Sequence, residues 1–268
     1  MVSSDFVATT SGELHARIDA AYERFVALAA SVPDECPVDT GAWTARDVVA
    51  HLVNVVNRYN EFDPTRLAAD PRGVDDVNAR ELVGLTGRST AELLVDLADE
   101  MRAFREKWGP TSGIPLDTPL PFHGGSRIDY QAGMVNLIGE YLIHGLDLAR
   151  ANDVGWEIDE RDGALLVSFG TQLLPHYVRQ TNTHELLMHL ELDDVAPWAL
   201  SVRGAAGESR EPRAGDRPDV VLRGRALPIA LLFYARLSVD ELESADLKVV
   251  GGEHPDWVVL LAELFEAP

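Results

Sequence analysis

Residues 129–151, DYQAGMVNLIGEYLIHGLDLARA, constrain this chain more than any other stretch. Met134, Leu137, Ile138, Tyr141, Leu142 and Leu148 recur at helical spacing and leave almost no polar face, which predicts a helix buried on nearly every side. Glu140 and His144 sit within that apolar surface, four residues apart and therefore one turn apart on one face. A buried carboxylate and imidazole are costly unless paired, hydrogen-bonded or bound to a cation. Two readings meet that demand. Either Glu140 is salt-bridged to an arginine of a neighbouring helix and His144 is a hydrogen-bonded core histidine, or the two belong to a metal site.

A second stretch, GAWTARDVVAHLVNVVNRY at residues 41–59, bears on the choice. Thr44 and Asp47 have the spacing of a capping box and start a helix. His51 then falls about two turns in, among Val48, Leu52, Val55 and Val56, on the apolar side. It is the third ligand that a site between two helices requires. Two imidazoles and one carboxylate suit zinc with an open position, and equally non-haem iron or nickel.

Forty-four acidic against 23 basic residues give a formal net charge of −21, which opposes binding to nucleic acid or an anionic membrane. One cysteine, Cys36, excludes an intramolecular disulfide and a cysteine-rich structural zinc site. No charged segment followed by an apolar core opens the sequence and no run is long enough to span a bilayer, so the expected compartment is the cytoplasm.

In chain order, residues 11–31 read as an amphipathic helix ended by Pro33 and Pro37, with His15 placed on its solvent side or edge. The helix bearing His51 follows over residues 44–62, then a short helix at 74–82. A helix opened by the Ser89 and Glu92 capping box runs to Trp108. Residues 111–127 are rich in Pro and Gly and read as a long loop, with His123 in it expected to be solvent-exposed and a substrate-loop role as the alternative. With 129–151 this makes four long helices, the pattern of a bundle whose interior gathers ligands from facing helices. One more helix is expected over 161–180. Beyond it come strands in HELLMHLELDD and PWALSVRG, turns in GESREPRAGDRP, a strand in PDVVLRG, a helix at 227–237, a strand in ADLKVVGG and a closing helix at 254–265. The expected fold class is α plus α+β. Its parts are a helix bundle at 1–155, a connecting helix at 156–180 and a small α+β domain at 181–268.

The patterns W-T-x-x-D-V-x-x-H-L at residues 43–52 and G-E-x-x-x-H-x-x-D-L-A-R at 139–150, in that order, resemble the mycothiol-dependent maleylpyruvate isomerase family, whose members are DinB-like metal-binding four-helix bundles. The C-terminal α+β part resembles the sterol-carrier-like domain that follows the bundle there. The resemblance implies a divalent metal, usually zinc, on His51, Glu140 and His144. It also implies mycothiol or a similar thiol as cosubstrate, whose thiolate adds to an activated double bond and leaves after rotation. Arg236, after ALLFYA, resembles a family arginine that contributes to catalysis, although LFYARL replaces the usual Trp-Gly-Arg ending. The implied partners are a small electrophile and a small thiol.

The residues themselves also allow a hydrolase using metal-bound hydroxide, and a non-catalytic metal- or ligand-binding module. Asn136, one turn before Glu140, and Asp147, three residues after His144, are candidates to orient the ligands, and Asp147 reads equally as a helix-surface residue near the C-terminal end. Arg58 and Tyr59, about two turns beyond His51, are candidates to meet an anionic substrate, with a salt bridge at the bundle edge the expected role of Arg58.

Overall fold

The computed structural model describes residues 7–38, 43–61, 67–68, 70, 73–123, 126–193, 195–237 and 248–250. The chain divides into two units, Thr9–Glu157 and a second formed by Ile158–Pro268 with Met1–Ala8.

In the first unit the helices are α1 (Ser11–Ala29), α2 (Ala45–Glu61), α3 (Val74–Val83), α4 (Thr90–Trp108) and α5 (Tyr130–Ala151). The four long ones form a bundle in which α1 lies along α5, α2 lies along α4, and α2 also meets α5. The helical spacing chose the core correctly: Leu14, Ile18 and Phe25 of α1 and Leu93, Leu97, Met101 and Phe104 of α4 are fully buried. Both capping boxes form. The Thr44 backbone N–H donates to Asp47 and the Asp47 N–H to the Thr44 hydroxyl, while Ser89 and Glu92 cap each other reciprocally.

Two histidines depart from expectation. His15 is buried, because Tyr130 from the start of α5 covers it: its Nε2 donates to the Tyr130 hydroxyl at 2.9 Å, and that O–H donates to the Trp108 carbonyl. His123 is buried as well, and its Nδ1 accepts from the Ala68 N–H. The stretch expected as a long loop contains an antiparallel pair, β1 (Pro119–Pro121) and β2 (Arg127–Asp129), with Leu120 opposite Ile128. Three-residue strands are too short to show alternation, and the prolines flanking Leu120 disguise an edge strand as a turn. β2 runs straight into α5, whose N-cap is Asp129.

In the second unit, α6 (Glu160–Leu173) stops ahead of Pro175, sooner than the expected end near residue 180. The strands β3 (Glu185–Leu192), β4 (Trp198–Arg203), β5 (Ala206–Arg210), β6 (Val220–Gly224) and β7 (Lys248–Val250) form one sheet in the order β5-β4-β3-β6-β7. Only the central pair, β3 and β6, is parallel among these neighbours. β5 falls where the sequence predicts a turn. Its charged residues hide a strand that pairs with β4 at the sheet edge. The helix α7 (Ala226–Phe233) packs on α6 within this unit, Gly163 and Gly170 giving room to Leu227 and Phe233. The closing helix expected at 254–265 lies outside the described residues. The fold is therefore α plus α+β, as expected.

Candidate metal centre

α2 brings His51 into the first unit and α5 brings Glu140 and His144. Their ligand atoms lie within 4.8 Å of one another, the one such group of three among the described residues. His51 Nε2 is 3.1 Å and His144 Nε2 3.5 Å from the same oxygen, Glu140 Oε2. The two imidazoles meet edge-on with ring centroids 5.0 Å apart, and Trp43, from the turn leading into α2, lies over both. The apolar surroundings come from the helices themselves: Leu52, Val55 and Val56 on α2, Leu137, Tyr141 and Leu148 on α5, all buried.

Charge within the cluster is unevenly held. Burial pushes the Glu140 carboxyl upward, but hydrogen bonds from His144 and His51 outweigh it and hold the group well below the usual carboxylate range. Burial lowers His51 more than Glu140 raises it, so that ring is neutral. Burial also works against a charged His144, yet Asp147 and Glu140 win and raise it to about 9. Asp147 is 1% exposed, and its carboxylate lies 3.4 Å from His144 Nδ1. Asp147 is therefore a buried residue and not a helix-surface one, and its carboxylate lies on the side of the ring away from Glu140, where a group that orients His144 would stand.

The donor set fits a divalent ion. In tetrahedral zinc with ligand distances of about 2.1 Å, neighbouring ligand atoms are about 3.4 Å apart, close to the separations that Glu140 makes with each imidazole. Two carboxylates, Glu140 and Asp147, face two imidazoles of which one is held neutral, so a cation relieves an excess of buried negative charge. His51 Nδ1 is buried with no hydrogen-bond partner among the described residues, and His51 is more enclosed than Glu140, which keeps 21% side-chain exposure. The carboxylate marks the open side.

The other candidates are placed as follows. Asn136, a candidate to orient the ligands, instead donates to the Tyr59 hydroxyl, which donates to the Gly133 carbonyl. Arg58 makes the expected salt bridge, with Glu81, and also donates to Asn78. Arg236 belongs to the second unit, where its guanidinium donates to the Tyr234 carbonyl. Cys36 lies beside Asn152 at the end of α5. Eight residues separate Asn152 from His144, about 12 Å along a helix. Sequence reasoning misses two groups, Trp43 against the imidazoles and the buried ring of His123. The tryptophan stands in the same W-T-x-x-D-V-x-x-H-L pattern as His51, and that is the available signal.

The model of the mycothiol maleylpyruvate isomerase N-terminal domain family matches residues 15–149, just over half of the chain and the whole of the segment carrying the triad. The chain belongs to that family. Among solved structures it is similar to the mycothiol-dependent maleylpyruvate isomerase, with a TM-score of 0.54 at 14% identity over 93% of this chain and 98% of the other. It is similar also to a histidine-to-alanine mutant of the mycothiol-dependent maleylpyruvate isomerase, with a TM-score of 0.55 at 14% identity and the same coverage. At that identity the likeness is one of fold, and it extends through the α+β part. No curated protein matches the chain. No helix among the described residues is long and apolar enough to cross a membrane.

Proposed function

We propose that this family member is an enzyme that holds a divalent metal, zinc by donor chemistry, on His51, Glu140 and His144, and uses mycothiol or a similar small thiol on a small electrophile, as an isomerase or S-transferase. The observation that carries the reading is the triad itself: three convergent donors with one open side, inside the domain that defines the family. A cation bound there supplies a Lewis acid that keeps an external thiol ionised near neutral pH.

The protein's own groups set the conditions for that chemistry. Asp147 holds His144 in one orientation, His51 stays neutral and able to donate a lone pair, and Trp43 shields both rings from water. No protein thiol has a part in this reading, since Cys36 lies beside Asn152, the cap that closes α5 eight residues beyond His144. Arg236 is the residue proposed to assist catalysis from the second unit, on family resemblance.

The experiment is turnover of maleylpyruvate by the zinc-supplied full chain, with and without mycothiol, in the wild type and in Cys36→Ser. The expected result is turnover only with thiol, unchanged in the variant. Equal turnover without thiol favours a metal-hydroxide hydrolase. Loss of activity in Cys36→Ser, with fold and metal retained, contradicts an external sulfur.

A further inference from the structure

The two imidazoles of the centre are supported unequally from behind. The Asp147 carboxylate lies 3.4 Å from His144 Nδ1. His51 Nδ1, by contrast, is buried and has no hydrogen-bond partner among the described residues. Trp43 lies over that ring and brings an N–H but no acceptor oxygen. A second buried atom without a partner stands on the same helix, Asn54 Nδ2.

Helix geometry brings these two atoms together. Asn54 follows His51 by three residues on α2, so their side chains are neighbours on the helix surface with Cβ atoms roughly 5–6 Å apart. Helical side chains lean toward the N-terminus, which carries the Asn54 amide back over the turn that holds His51. Each unpartnered nitrogen is only two bonds from its own Cβ, and this keeps the pair within reach of each other, directly or across one water. The next polar residues of α2 are turned elsewhere: Asn57 donates to Glu100, Arg58 to Glu81 and Asn78, and the Tyr59 hydroxyl to Gly133.

Valence decides what His51 requires at Nδ1. Its Nε2 faces the other two ligands, 3.1 Å from Glu140 Oε2. With no cation present, Nε2 carries hydrogen toward that carboxylate and Nδ1 is a bare acceptor. A cation on Nε2 takes its lone pair, so the neutral ring carries its hydrogen on Nδ1 and needs an acceptor there. Asparagine meets both demands. Its amide presents a donor and an acceptor in nearly the same shape, and a half-turn of the terminal bond exchanges them, whereas a carboxylate could only accept.

We propose that Asn54 is the positioning residue of His51: its side-chain oxygen accepts the Nδ1–H whenever Nε2 holds the cation, as Asp147 supports the other imidazole. The proposal deepens the metal reading of the triad and rests on it.

The test uses the full chain, ¹⁵N-labelled at histidine and loaded with zinc, in the wild type, Asn54→Leu and Asn54→Asp. Leucine keeps the shape of the side chain without its polar atoms, and aspartate keeps an acceptor oxygen. In the wild type the His51 Nδ1–H should resonate downfield, as a hydrogen-bonded proton does. In Asn54→Leu it should move upfield, and zinc affinity read by competition with a chelator should fall about 10- to 100-fold. Asn54→Asp should move the same signal further downfield, while the His144 Nδ1–H stays in place in both variants.

A His51 Nδ1–H signal unmoved in Asn54→Leu, or wild-type zinc affinity in that variant, overturns the proposal. If Asn54→Leu does not fold, Asn54→Asp decides, and an unmoved signal there overturns it equally. A wild type that takes up no zinc removes the parent reading and this one with it. A zinc-loaded wild type whose signal ignores residue 54 removes this one alone.

Discussion

His144 lies between two carboxylates, and the buried one, Asp147, faces the nitrogen that Glu140 does not. Removing its charge should release the ring orientation without touching a ligand. Asp147→Asn is expected to weaken metal binding about 10- to 100-fold, read by competition with a chelator; unchanged affinity would make Asp147 a core group only. His123 gives a pH prediction. Its folded pKa of about 4 lies below the ordinary 6.5, so the unfolded chain binds the extra proton first as pH falls. The associated stability is present above about pH 6.5 and is lost as pH falls toward 4, at most about 3.5 kcal/mol at ~1.4 kcal/mol per pKa unit. Urea unfolding of chelated protein at pH 7 and pH 4.5 should show a smaller loss in His123→Asn than in the wild type, and equal losses would contradict it. At this scale the cluster of His51, Glu140 and His144, the proposed metal ligands, was legible because polar residues on an apolar helical face are anomalous in the sequence itself. His15 and His123 were not, because their burial comes from Tyr130 and from the segment at Ala68, which no local spacing reveals.

Helices announced themselves through spacing and caps, and the close packing of α6 on α7 was hidden in glycines. A Cβ on Gly163 would stand 2.6 Å from Leu227 Cα, a backbone atom that cannot turn aside. Gly163→Ala should therefore push α7 off α6 and cost about 1–3 kcal/mol, measured by urea unfolding of the full chain. A neutral result would mean that the two helices slide apart freely. The sheet was harder to read. β3 alternates in burial and β4 is mostly buried, and both were visible, whereas the charged edge strand β5 and the proline-flanked β1 owe their conformation to their partners. Propensity decides a long amphipathic helix, and pairing decides a short strand.

For the whole molecule, the bundle places donors from α2 and α5 together although 89 residues separate His51 from Glu140. The two patterns, each modest alone, made that convergence legible by their order and by the family they resemble. The α+β part was legible as a class, while the expected role of Arg236 depends on resemblance and not on a geometric signal within its own unit. Charge at this scale is −21, consistent with small-molecule partners and opposed to polyanions. The central claim is that His51, Glu140 and His144 hold a metal, and elemental analysis of the purified full chain addresses it directly. About one divalent ion per chain is expected in the wild type, falling to a trace in each of His51→Ala, Glu140→Ala and His144→Ala, because structural and catalytic zinc sites need at least three protein ligands. Full occupancy retained in all three variants would contradict it.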